Sequence, residues 1–220
     1  MPVSGKGMLL TTMDIPPEHE AEFNEWYDRE HLAERVAIPG FLEARRYIAV
    51  DAAPKYLGLY STGRFDDLSS PAYKHALANQ TEWSKTNLAR FKNMGRAVAR
   101  ITASGGQGRG GVLAMLRLRP RMDEPDALRR RIAALFKPAG TAGVIAMHLL
   151  ENDPALSVSL TEPDAEDPGA GDWRVLVDGS DIAAVLAFAE QRLVPALGAE
   201  GERISLGTYR LLWDLAKADL

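Results

Sequence analysis

Residues 23–41, FNEWYDREHLAERVAIPGF, carry aromatic and titratable side chains at helical spacing. Phe23, Tyr27 and His31 stand at i, i+4 and i+8, with Trp26, Glu30 and Glu34 beside them, so they lie along one side of a helix. A core helix ordinarily puts aliphatic residues on such a stripe, and aromatic and ionisable groups there point instead to a polar cavity. His31 is the candidate acid–base group, because imidazole titrates near neutrality. Asp28, Glu30 and Glu34 stand close in sequence, and the helix ends soon after, so the charged imidazole is expected to be favoured. The blander alternatives stay open: His31 only secures the helix end, and Trp26 and the tyrosines pack with a hydroxyl at a wet edge.

Other chemistries lack their residues. There is no cysteine, which excludes disulfides, thiolate nucleophiles and cysteine-held clusters. His19, His31, His75 and His148 show no HxH, HxxxH or HExxH spacing, so no metal site is expected. The glycines of SGGQGRGG precede a strand rather than a helix, which is the wrong order for a phosphate loop, and no GxSxG elbow occurs. The site is expected to work without a cofactor.

The elements that must hold these residues alternate in a regular order. Pro16 and Pro17 suit a helix start, and Pro39–Gly40 stop the helix by Ile38. A strand over 7–13 precedes it, and strands over 41–50 and 55–64 follow. In the first of these, Phe41, Glu43, Arg45 and Tyr47 share one face. In the second, Tyr56, Tyr60 and Arg64 oppose Leu57 and Leu59, which are expected beneath the helices. Helical segments over 66–91, broken near 79–81, and a strand over 96–103 complete a βαββαβ order. Residues 104–111 hold five glycines and read as a flexible linker. The order then restarts: a strand from 111, a helix over 124–136, a strand over 143–150, a Pro- and Asp-rich insertion with a short strand at 156–160, a strand over 173–177, a helix capped by Ser180, and a closing strand over 204–215. The fold class is therefore α+β, with two ferredoxin-like units at 1–104 and 111–220 and a linker at 105–110.

Composition bounds the partners. The chain of 220 residues is 46% hydrophobic and 25% charged, ordinary for a globular protein, and two units of this size are normal. Its net charge of −4, with no basic excess in either half, speaks against nucleic acid. No apolar run approaches a membrane span or a signal peptide, so a cytoplasmic setting is expected. Five of the six tyrosines lie in the first half, which is therefore expected to furnish a pocket for a small-molecule ligand. Self-association is left open.

The run WYDREHLAERVAIPGF, with RRY at 45–47 and KYLGLY at 55–60, resembles the EthD-like and NIPSNAP-like branches of the dimeric α/β-barrel superfamily. The resemblance is good over about residues 7–65 and rests on pattern alone in the second half. It implies that the two units close an intramolecular barrel. It also implies a cofactor-free lyase, isomerase or monooxygenase acting on a small aromatic or carbonyl-bearing metabolite, with a non-catalytic binding or structural barrel as the alternative. Haem relatives exist, and their axial histidine lies in the second unit, where this chain offers only His148. The expected site joins His31, Tyr27 and Tyr47 as catalytic groups to Trp26, Arg45, Tyr60 and Arg64 as binding groups. The polar-aromatic strand faces are expected to look into the barrel.

Overall fold

Alternation along the strands builds the fold, and all but the two longest strands are buried along most of both faces. The computed structural model describes residues 3–121, 125–137, 140–157 and 169–220. Strands β1 (Gly7–Asp14), β2 (Phe41–Asp51), β3 (Tyr56–Thr62) and β4 (Lys92–Gly106) form the first unit, and β5 (Val112–Pro120), β6 (Val144–Asn152), β7 (Trp173–Gly179) and β8 (Gly201–Ala216) the second. All pair antiparallel, and the eight close into a barrel in the order β1-β3-β2-β8-β5-β7-β6-β4. Each unit keeps the ferredoxin-like order, its last strand beside its first.

Closure depends on the two long last strands. β4 pairs with β1 through residues up to Arg100 and with β6 from Ala99 to Gly106. β8 pairs with β5 up to Arg210 and with β2 from Thr208 to Ala216. Each reaches across to the other unit, so no sheet edge is left unpaired. Gly105 and Gly106, expected in a flexible linker, are the end of β4. Gly106 has φ +93°, and a Cβ there would fall 2.2 Å from the Ile145 carbonyl oxygen, so glycine is what lets β4 lie against β6.

The helices cover the barrel from outside. The first runs Glu20–Trp26, makes one π turn over Tyr27–His31, and continues as Leu32–Ala37 up to Pro39. Helices Pro71–Ala78 and Glu82–Leu88 are capped by the side chains of Ser70 and Thr81. The second unit carries helices Pro125–Ala134 and Ile182–Phe188; the latter is capped by Asp181 rather than Ser180, the Asp181 carboxylate accepting from the Ala184 amide at 2.8 Å. Among the described residues no helix is long and apolar enough to cross a membrane. Most of the short strand expected at 156–160, and Glu124 at the expected helix start, lie outside the described residues.

Three apolar layers result. Phe23, Trp26, Leu32, Phe41, Tyr56 and Tyr60 pack between helices and sheet in the first unit. Leu128, Ile132, Leu149, Val175, Val177 and Phe188 do the same in the second. The barrel interior holds Met8, Leu10, Leu57, Leu59, Leu150 and Leu176, together with Tyr47 and Tyr209. Here the sequence expectation is reversed: Leu57 and Leu59 fill the barrel, while Tyr56 and Tyr60 lie under the helices. Alternation decides which residues share a face, but β3 is buried on both faces, so polarity alone does not orient it.

Candidate functional site

The outward faces of β1 and β3 and the helices of the first unit enclose a cavity of about 630 Å³. That is within the ~300–1,000 Å³ of small-molecule sites. Leu9, Thr11 and Met13 line it from β1, Tyr60 from β3, and Tyr27, His31 and Arg35 from the first helix. Tyr73 and Leu77, on helix Pro71–Ala78, contribute the facing wall with Phe91.

The π turn places Tyr27 and His31 at this wall. One wider turn of backbone within a helix is a recurrent feature of functional sites. The Tyr27 and Tyr60 hydroxyls are 2.5 Å apart in a buried hydrogen bond. Gly58 makes the approach possible: a Cβ there would fall 2.7 Å from Tyr27 Oη and 3.2 Å from Tyr60 Cε2. Burial pushes both phenols up, so both are protonated at neutral pH and the pair retains a hydrogen to donate onward.

The His31 ring lies 4.3 Å from that of Trp26, centroid to centroid, 5.0 Å from Tyr27 and 6.2 Å from Tyr60. Its Nδ1 is buried with no hydrogen-bond partner among the described residues. The expected charged imidazole is corrected here: burial, then Arg35, then Arg46 push His31 well below its ordinary value, and it is neutral near pH 7. The carboxylates look elsewhere. Asp28 accepts from Arg46 at 2.6 Å, and Glu30 and Glu34 each accept from the Ser84 hydroxyl at 3.3 Å. Trp26 is fully buried behind the His31 ring, its indole N–H donating to Ser84 at 3.1 Å.

Three expected site residues are elsewhere. Arg45 and Tyr47 point into the barrel, on the far side of the sheet from His31. Arg45 pairs there with Asp178 of the second unit at 3.0 Å, and burial pushes the Tyr47 phenol up to about 12. Arg64 lies at the surface with its side chain 83% exposed, paired with Asp67. The reason is again the period of two, which puts Arg45 and Tyr47 with Leu57 and Leu59 across the β2–β3 pairing.

Three residues not singled out from the sequence belong to the site. Arg46 lies beneath the aromatic group, its guanidinium carbon 4.7 Å from the Tyr27 ring centroid. Gly58 leaves room for the tyrosine pair. Arg35 continues the 23, 27, 31 series by four more residues, so the spacing that marked His31 also marks it.

Among the described residues no group of three or more His, Asp and Glu could hold a metal ion. Haem does not fit the second unit: His148 points into the barrel with Nδ1 hydrogen-bonded to Ser104 at 2.9 Å, and the layer beneath that unit's helices is filled by Leu128, Val175 and Phe188.

No family model matches the sequence, and no curated protein matches it. Solved structures share its fold. A candidate monooxygenase from Lactobacillus acidophilus NCFM superposes with a TM-score of 0.62 at 8% identity, over 97% of each chain. An anthrone oxidase-like protein gives 0.61 at 12% identity, over 99% of this chain and 96% of its own. A heme-binding protein from Thermus thermophilus gives 0.54 at 11% identity, over 95% of this chain and 92% of its own. At these identities the likeness establishes the dimeric α/β-barrel fold alone.

Proposed function

We propose that the first-unit cavity is the active site of a cofactor-independent enzyme that withdraws a proton from a small aromatic or carbonyl-bearing metabolite. The observation that carries this reading is the neutral His31 ring in the cavity wall, packed against a hydrogen-bonded tyrosine pair. A neutral imidazole accepts a proton, whereas an imidazolium cannot. The substrate's C–H proton passes to the imidazole lone pair, and the electron pair left on carbon delocalises into the adjacent carbonyl. The Tyr27–Tyr60 pair donates a hydrogen bond to the oxygen that gains charge. The resulting carbanion reacts with dioxygen in an oxygenation, is reprotonated elsewhere in an isomerisation, or expels a leaving group in a lyase reaction. The names of the first two fold neighbours favour oxygenation. The WYDREH segment supports placement in the EthD-like or NIPSNAP-like branch.

Anthrone tests the reading, with binding followed by calorimetry, methylene exchange in D2O by NMR and oxygen uptake by electrode. The protein should accelerate exchange over buffer, and His31→Gln should lose about 100-fold of that acceleration. Binding without any acceleration would overturn catalysis and favour a non-catalytic binding protein.

A further inference from the structure

Arg35 is 5% exposed, and its Nη1 is buried without a hydrogen-bond partner among the described residues. The other buried arginines are differently placed. Arg45 faces Asp178 at 3.0 Å, Arg46 faces Asp28 at 2.6 Å, and Arg174 donates to the Asn152 side-chain oxygen at 2.9 Å. No described carboxylate lies within the 4.0 Å of an ion pair from Arg35, and its sequence neighbour Glu34 turns to Ser84. The Glu34 carboxylate feels the Arg35 charge only from beyond ion-pair contact, and a buried charge without a direct partner is costly.

The rest of the cavity agrees. Arg35, Arg96 and Lys74 line it and, among the described residues, no Asp or Glu does, while Leu9, Met13 and Phe91 make much of the remaining wall apolar. Arg96 donates to the Leu156 carbonyl, which leaves its charge unneutralised by that contact.

We infer that the ligand of this cavity is an aromatic anion whose carboxylate or phenolate oxygen is held by Arg35, with its ring body against the apolar wall. The inference rests on the cavity being a small-molecule site and names the class of molecule it takes. It also fits the proton step. After burial, which is the main cause, Arg35 and Arg46 are the cations that keep His31 unprotonated. An anion seated on Arg35 offsets the first of these, so the bound ligand makes the imidazole a better base. Among the described residues, the aromatic and charged groups that face His31 are Trp26, Tyr27 and Arg35 on its own helix, Arg46 from β2 and Tyr60 from β3, none of them a carboxylate.

The test uses two probes of one shape, 2-naphthoate and 2-naphthamide, titrated calorimetrically into the whole chain at pH 7. The naphthoate should bind at least about tenfold more tightly, as for a charge-assisted contact. Arg35→Met should reduce that preference to under about twofold while keeping the naphthamide affinity. Should this variant not fold, Arg35→Gln carries the same comparison, and at equal concentration naphthoate should raise the melting temperature of the unmodified protein more than naphthamide does. Equal affinity for the two probes, binding of neither, or a preference that survives loss of the guanidinium overturns the inference. His31→Gln should keep the preference, so a failed proton step and a failed anion site are told apart.

Discussion

Gly58→Ala probes the geometry of the site most directly. The added methyl carbon would stand 2.7 Å from Tyr27 Oη and 2.9 Å from Thr11 Oγ1, where ordinary contact begins at 3.4 Å. The Tyr27 hydroxyl must therefore retreat by about 0.7 Å (3.4 − 2.7), on a ring that is buried in the helix–sheet layer at the cavity wall. That stretches the 2.5 Å bond to Tyr60 beyond a good hydrogen bond and leaves buried hydroxyls unpaired. Overpacking costs about 1–3 kcal/mol and an unpaired buried hydroxyl a similar amount, so a total of about 3 kcal/mol is expected. For a chain of this length that is a melting temperature lower by roughly 6–12 °C, read by circular dichroism. Tyr27→Phe removes the atom the methyl meets. In that background Gly58→Ala should cost only about 1 kcal/mol, a coupling of about 2 kcal/mol in a double-mutant cycle. A melting temperature unchanged by Gly58→Ala, or an additive cycle, would refute the tyrosine pair as described.

Arg45→Ala should cost about 3–5 kcal/mol, since it strands Asp178 inside the barrel and removes a contact between the units; replacing both residues by Met and Leu should restore most of it in denaturant melts. Burial, followed by Arg45, pushes His148 down to about 4. Between pH 6.5 and about 4 the unfolded chain binds a proton there that the folded chain does not, so stability falls as pH drops through that window, by about 3 kcal/mol at most. His31 acts in the same direction, so His148→Gln should flatten the slope in urea melts across this range without abolishing it. Arg64→Ala should change stability by less than about 0.5 kcal/mol and leave probe binding unaltered, as its side chain is 83% exposed.

The sequence by itself determined the order of elements, the end of the first helix at Pro39–Gly40, and the grouping of Tyr27 with His31. These are local facts, written in proline geometry and in periods of two and 3.6. Alternation also decided that Arg45 goes with Tyr47 and Tyr56 with Tyr60. It could not say which pair enters the barrel, because both faces of β3 are buried and neither is marked by solvent. The charge state of His31 was likewise beyond a reading along the chain. Neighbours in sequence suggested carboxylates, but Asp28 is drawn to Arg46 on another strand and Glu30 and Glu34 to Ser84 on another helix. Only the packing of helix on sheet leaves the imidazole dry, beside two arginines and against the Tyr27–Tyr60 bond that Gly58 admits, because desolvation and through-space charge depend on what tertiary contact brings near.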